Sequence, residues 1–376
     1  MNLKMKYLLI NKVGVVLLFS LHHYHCVLSL IKNMEKHISN WSSMKSVPEN
    51  YIFPPETRPG DVKIPISHSI PVIDLREAHD GNRANTVQKI IKAAEEFGFF
   101  QVINHGIPEN EMKETMSVFK EVFQFPDEYE HNLYPDDSTK TCKKFTSSYF
   151  YETEKVHYWR ECLRHSAYPL EEWQHLWPQN PASYRKCVGD FSVKIKELGS
   201  RIMNLISEGL GLECGHFDND LSGSMIISAN HYPSCPNPSL TLGLLKHYDA
   251  YLITILLQDD ISGLQVLKDG KWIGVEALPH AFVINIGYAL KIISNGKLQS
   301  AEHRAVTNSS HARTSVAFFI APSGDCFIEP AQDLIDEHNP PIFKSYKFKE
   351  FLSRFFDKLA DMEKVIKSFE EPGGIL

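Results

Sequence analysis

From Met225 onward the chain breaks into short apolar runs of β-type residues, each closed by a turn signal, and this punctuation limits the folds open to it. Residues 226–230, 252–258, 264–267, 281–286 and 314–320 alternate with Pro-Ser-Cys-Pro-Asn-Pro, Asp-Asp-Ile-Ser-Gly and Lys-Asp-Gly-Lys. Runs this short and this rich in Val, Ile, Leu and Phe read as strands rather than helices. Many strands at such spacing pack as a sandwich or close into a barrel.

The first half has a different period. Val87, Ile90, Ile91 and Ala94 fall on one helical stripe, which Gly98 ends. Residues 69–75 and 99–104 read as strands, Asn104-His105-Gly106 as a turn, and 108–123 as a second helix. Phe191, Ile195, Leu198, Ile202 and Ile206 mark a long amphipathic helix ending near Gly209 and Gly211. Residues 126–185 show no sustained period, and 347–369 is amphipathic and helical in pattern. The expected fold is mixed α and β, with a helical N-terminal region on a β-barrel-like core and a C-terminal helix. Five segments follow: an atypical leader or upstream extension (1–33), a loose Pro-containing arm (34–68), an N-terminal region (69–215), a β-rich domain (225–325) and a C-terminal segment with the helix (326–376).

Residues 1–33 carry four lysines, no acid and one apolar run at 13–21, too short for the ~20 residues a bilayer span takes. The favoured reading is an upstream extension with Met34 as the usual start. A membrane-associated leader and a plain tail are the alternatives. The full chain is 43% hydrophobic, ample for one large core. A net charge of −7 with interspersed signs offers no basic face for nucleic acid. Seven scattered cysteines without a Cys-x-x-Cys pair argue against a disulfide framework and for a reducing, cytoplasmic setting. A monomer acting on a small molecule, with no membrane contact for the main domain, is expected.

Two histidines and one carboxylate can hold iron(II) on one face of an octahedron and leave the opposite face open. A His-x-Asp pair is weak evidence alone, since chance supplies about one in a chain of this composition. This chain has two, His216-Phe217-Asp218 and His247-Tyr248-Asp249. The first follows a helix in an Asp- and Asn-rich stretch and reads as a surface loop. The second leads into the apolar run 253–257, a rigid place for ligands whose i and i+2 side chains share a strand face. His303 is the candidate third ligand. Ten residues on, Arg313 and Ser315 share a face of the run 314–320 and could bind a carboxylate through a planar fork and a hydroxyl. His105 and His311 read as structural.

The ordered set resembles the plant 2-oxoglutarate-dependent dioxygenases, the group that includes flavonol synthase and gibberellin oxidases. The resemblance runs from about Ser69 to Phe356. It is carried by Ile70-Pro-Val-Ile-Asp-Leu75, Gly98-Phe-Phe-Gln-Val-Ile-Asn-His-Gly106, Asn230-His-Tyr-Pro-Ser-Cys-Pro236, His247-x-Asp249, His303-Arg-Ala-Val306 and Arg313-x-Ser315. Ser39-Asn-Trp-Ser42, Glu208-Gly-Leu-Gly-Leu212, His247-Tyr-Asp249 and Glu329-Pro330 are most similar to its alkaloid-hydroxylase branch.

The resemblance implies a double-stranded β-helix (jelly-roll) core. It implies His247, Asp249 and His303 as iron ligands, and Arg313, Ser315, Tyr232 and Asn230 around 2-oxoglutarate. It also implies O2 as oxidant, ascorbate as accessory reductant, and succinate and CO2 as co-products of oxidising a small specialised metabolite, most simply by hydroxylation. Tyr248, Phe319, Phe351 and Phe355 are candidate pocket walls, with core packing the plainer reading of each phenylalanine. His231 and Ser234 depart from the usual Tyr and Pro of the family segment, and Trp159-Arg160-Glu161 from Trp-x-Asp; none of these touches an iron ligand. An iron oxidase of the same fold that spares 2-oxoglutarate, a non-catalytic binding protein and a zinc hydrolase are the alternatives. The last would call for a nearby Glu base.

Overall fold

The β-type runs pair into two large sheets, with a separate two-stranded ribbon of Phe327–Ile328 and Tyr346–Lys347. A computed structural model of the protein describes residues 44–61, 64–125, 142–357 and 362–371. The expected leader at 1–33 lies outside the described residues. In chain order the strands are β1 Val72–Asp74, β2 Phe99–Ile103, β3 Cys142–Thr146, β4 Glu161–Tyr168, β5 Ser224–Tyr232, β6 Leu244–His247, β7 Ile253–Gln258, β8 Leu264–Lys268, β9 Lys271–Gly274, β10 Phe282–Ile286, β11 His303–Ala305 and β12 Arg313–Ala321. The longer helices are α1 Arg83–Glu96, α2 Glu109–Val122, α3 Tyr184–Leu210, α4 Tyr288–Ile293, α5 Phe348–Asp357 and α6 Met362–Phe369.

The major sheet runs β1-β2-β10-β7-β12-β5-β4-β3 and the minor sheet β6-β11-β8-β9. The two sheets meet where Phe99 of β2 lies edge-on to His303 of β11, ring centroids 5.7 Å apart. This is the jelly-roll core with its helical cover.

The strand period decides which side chains enter the core between sheets. On β12, Ser315, Ala317 and Phe319 lie opposite Asn230, Ser228 and Ile226 of β5. They share one face, and Val316, Phe318 and Ile320 take the other. That outer face meets α3: Phe318 packs on Phe191 at 5.7 Å, and a Cβ on Gly199 would lie 3.1 Å from Ile320. The stripe read from the sequence, Val87 to Ala94, turns α1 onto α3. There Gly209 lets the helices approach so closely that a Cβ would stand 2.1 Å from Ile91. The long helix runs past Gly209 and ends at Gly211, whose φ of +77° suits a left-handed cap.

The arm at 34–68 is not loose where it is described. Val47, Tyr51 and Phe53 are buried, and Tyr51 meets Trp159 edge-on at 5.7 Å in a small core with Cys235. Phe53 N–H donates to Leu240 O, and Ile66 bridges to Gly274. Its proline-rich composition suggested a loose arm, but its spaced aromatics anchor it.

His165 gives the fold a pH dependence. Its ring lies fully buried beside Trp177, with Nδ1 directed at Ser166 O (3.0 Å) and Nε2 at the Tyr184 hydroxyl (2.7 Å). Burial pushes its pKa down to about 4. The unfolded chain therefore takes up this proton near pH 6.5 and the native state only near pH 4. Stability is whole above pH 6.5 and falls as pH drops toward 4, by roughly 3 kcal/mol from this group. Thermal melts between pH 7 and 4 should slope less for His165→Gln; an unchanged slope would refute the assignment.

Candidate active site

His247 and His303 are direct cross-strand partners, on β6 and β11 of the minor sheet. Each ring is oriented the same way. His247 Nδ1 lies 2.9 Å from Leu245 O and His303 Nδ1 lies 3.1 Å from Ala301 O. As N–H donors at Nδ1, both rings turn an unprotonated Nε2 inward. Asp249 Oδ1 faces these nitrogens at 3.8 and 3.7 Å, farther than a hydrogen bond. Among the described residues this is the one group of three such side chains whose donor atoms lie within 4.8 Å of one another.

Strand alternation explains the two histidines but not Asp249. β6 ends at His247, so Asp249 lies in the link to β7 rather than on a strand as the sequence suggested. It is fixed from outside. Tyr288 N–H, at the start of α4, donates to its carbonyl at 2.7 Å. Thr254 Oγ1 and Asn285 Nδ2 donate to its Oδ2 at 2.6 and 2.9 Å. Thr254 and Asn285 are themselves opposite one another on β7 and β10. Oδ2 is thus held by the major sheet, and Oδ1 is left to the gap.

The electrostatics keep His247 and Asp249 in their binding forms. Burial, then the nearby His303, pushes His247 down to about 4, so it is neutral at physiological pH. Burial alone would raise the Asp249 carboxyl, but both histidines and the Thr254 and Asn285 hydrogen bonds outweigh it and hold it below the usual range. Two imidazole nitrogens and one carboxylate oxygen on one side of a gap suit iron(II). The His247 side chain is 26% exposed against 7% for His303 and 6% for Asp249, so the site opens on the His247 side.

The expected co-substrate residues come together as two cross-strand pairs, Arg313 with Tyr232 and Ser315 with Asn230. The Arg313 guanidinium stacks 5.3 Å from the centre of the Tyr232 ring. Its Nε donates to Ile261 O (3.0 Å), one Nη to Gln258 Oε1 (2.7 Å), and the other reaches Ser315 Oγ at 3.4 Å. All these partners are neutral, and among the described residues no carboxylate pairs with it. Two glycines make room. A Cβ on Gly263 would meet Arg313 Cδ at 2.7 Å, and one on Gly243 would meet the Tyr232 ring at 2.4 Å. Asn230 Oδ1 accepts from Arg160 at 2.9 Å, which ties the variant Trp-Arg-Glu segment to this wall.

Other sequence candidates separate. Phe319 lies on the inner face, stacked obliquely on Tyr251 at 4.7 Å. Tyr248 is half-buried against Tyr288 at 6.2 Å. Phe351 and Phe355 are 0% and 2% exposed, packed with Tyr288 and Phe369, so they are core rather than pocket wall. His231 belongs to the outer face, stacked on Phe123 and bonded to Thr314. His105 is buried and bonded to His280 O, and His216 sits in a turn after α3. Thr254, Asn285 and Gln258 were missed. A polar residue inside an otherwise buried apolar strand was the available signal.

Known proteins agree with this geometry. Residues 223–322 match the 2OG-Fe(II) oxygenase superfamily and residues 70–180 match the N-terminal region described as non-haem dioxygenase in morphine synthesis. The chain is 40% identical to hyoscyamine 6-dioxygenase of Hyoscyamus niger, over 90% of this chain and 99% of that one. It is 40% identical to flavanone 3-dioxygenase 2 of Oryza sativa subsp. japonica, over 86% and 94%. The crystal structure of JOX2 in complex with 2OG, Fe and JA superposes with a TM-score of 0.76 at 31% identity, covering 89% of this chain and 98% of that one. With two histidines and an aspartate converging inside a jelly roll and near full-length likeness to such enzymes, the chain belongs to the 2OG-Fe(II) oxygenase superfamily.

Proposed function

We propose that this protein hydroxylates a small specialised metabolite at an iron(II) held by His247, Asp249 and His303, with 2-oxoglutarate seated against Arg313 and Ser315. The observation that carries this reading is the buried Arg313 fork, which faces only neutral partners while sharing its sheet face with Ser315. A buried cation without an anion is costly unless a ligand supplies one, and a dicarboxylate does.

Iron(II), when bound, supplies the O2 activation that couples decarboxylation of 2-oxoglutarate to oxygen insertion. The chain's own residues do the rest by placement. Thr254 and Asn285 hold Asp249 charged and aimed, and the backbone carbonyls of Leu245 and Ala301 set the tautomers of His247 and His303. Arg313, Ser315, Tyr232 and Asn230 orient the co-substrate's far carboxylate. No side chain need act as a general base. Hydroxylation is the simplest outcome of that oxygen insertion. Action in the cytoplasm, supported by scattered cysteines with no Cys-x-x-Cys, and as a monomer completes the reading.

The test is stoichiometry. Protein started at Met34, given iron(II), 2-oxoglutarate and a panel of alkaloids, flavonoids, coumarins and terpenoid acids, should release one succinate per oxidised product. Oxidation without matching succinate would overturn the role given to 2-oxoglutarate.

A further inference from the structure

Arg164 is a second cation of the barrel wall, and nothing above employs it. It lies on β4 opposite Ser228 of β5, which lies opposite Ala317 of β12. The alternation that points Ser315, Asn230 and Phe319 inward therefore points Arg164 inward too. One Nη donates to the Tyr251 hydroxyl. The guanidinium carbon sits 5.3 Å from the centre of the Phe319 ring and 5.9 Å from that of Tyr251. Tyr251 is two residues beyond Asp249, so this group adjoins the metal-ligand side of the barrel.

The charge is not balanced. Among the described residues no carboxylate pairs with Arg164, and its neighbours are phenols, a thiol and a benzyl ring. A guanidinium carries five N–H donors. Its single hydrogen bond uses one, which leaves four. Contact with two aromatic faces recovers only part of what a guanidinium loses on leaving water. Arg164 is partly rather than fully buried, while Tyr251, Phe319 and Ser228 around it are 4%, 9% and 6% exposed.

We propose that the substrate carries a carboxylate, which Arg164 and the Tyr251 hydroxyl receive while the apolar body of the molecule lies on Phe319. This rests on the iron-site reading above and adds the substrate class. A planar fork matches a carboxylate through two parallel hydrogen bonds, which an ester or amide cannot accept as a charged pair. The same cation disfavours substrates whose polar group is a protonated amine.

The experiment uses the full chain with iron(II) and saturating 2-oxoglutarate under anaerobic conditions, so that Arg313 is already occupied. Calorimetric binding is measured for benzoic, phenylacetic, cinnamic and cyclohexanecarboxylic acids and for their methyl esters. At least one acid should bind tenfold or more tighter than its ester. That ratio should fall to about one in Arg164→Leu and be partly kept in Arg164→Lys. Tyr251→Phe should reduce it without abolishing it. Arg164→Gln serves if Arg164→Leu does not fold. The proposal is overturned if no acid binds, if esters bind as well as acids, or if Arg164→Leu keeps the wild-type ratio. The visible absorption band of the iron–2-oxoglutarate complex, read on the same samples, separates the two readings. Its absence from wild type would count against the iron site, and its presence with a failed acid preference against Arg164 alone.

Discussion

Succinate release by Asp249→Ala should fall by on the order of 10³ or more, the scale expected when a metal supplying several kcal/mol of rate enhancement is no longer held. Asp249 is the one anion between two imidazoles, and its Oδ1 is the one candidate ligand atom they do not supply. Its loss also strands Thr254 Oγ1 and Asn285 Nδ2, each buried and each donating to Oδ2. An unmet buried donor costs about 1–3 kcal/mol, so a lowered melting temperature should accompany the loss of activity. Anaerobic titration with iron(II) should show no saturable binding by Asp249→Ala. Asp249→Asn keeps the shape without the charge and should bind iron weakly. Succinate release within tenfold of wild type in Asp249→Ala would remove Asp249 from the metal site.

Arg313→Leu should raise the KM for 2-oxoglutarate about a hundredfold, with a smaller change in kcat. A charge-assisted pair, twice as strong as a neutral hydrogen bond, supports an effect of roughly 3 kcal/mol at this position. The substitution also relieves an unbalanced cation, so the protein without 2-oxoglutarate should melt no lower than wild type. That pairing of outcomes separates a ligand-binding role from a structural one. Arg313→Lys keeps the charge but not the fork, and should fall between. If KM for 2-oxoglutarate does not move in Arg313→Leu, the carboxylate is held elsewhere.

The parts of this candidate site that the sequence can place are those that depend on local alternation. Arg313 and Ser315 share a face because they are two residues apart on one strand, which periodicity reveals. His247 was preferred over His216 because an apolar run follows it, and the turn geometry of His216 agrees. Asp249 needed more. Its orientation depends on Thr254 and Asn285, which meet only through the register of β7 and β10, 31 positions apart in the chain. No short-range pattern carries that information. The arm went astray for a related reason, because proline content hid the long-range anchoring of Tyr51 on Trp159. Phe351 and Phe355 were apolar residues on an amphipathic helix, and such a pattern cannot distinguish a core-facing stripe from a pocket-facing one. The jelly roll itself was legible because its strands are short, numerous and closed by Gly, Pro and Asp.

The candidate metal-ligand set is divided between the sheets. Its two histidines belong to the minor sheet, while the carboxylate takes its hydrogen bonds from the major one. An ion seated there is a rivet through both layers of the sandwich. Mass action makes the rivet structural as well as chemical: at a hundredfold excess over its dissociation constant a ligand adds about 2.7 kcal/mol to folding stability. Preparations that differ in iron content will therefore differ in how firmly the two layers are joined, before any substrate is added.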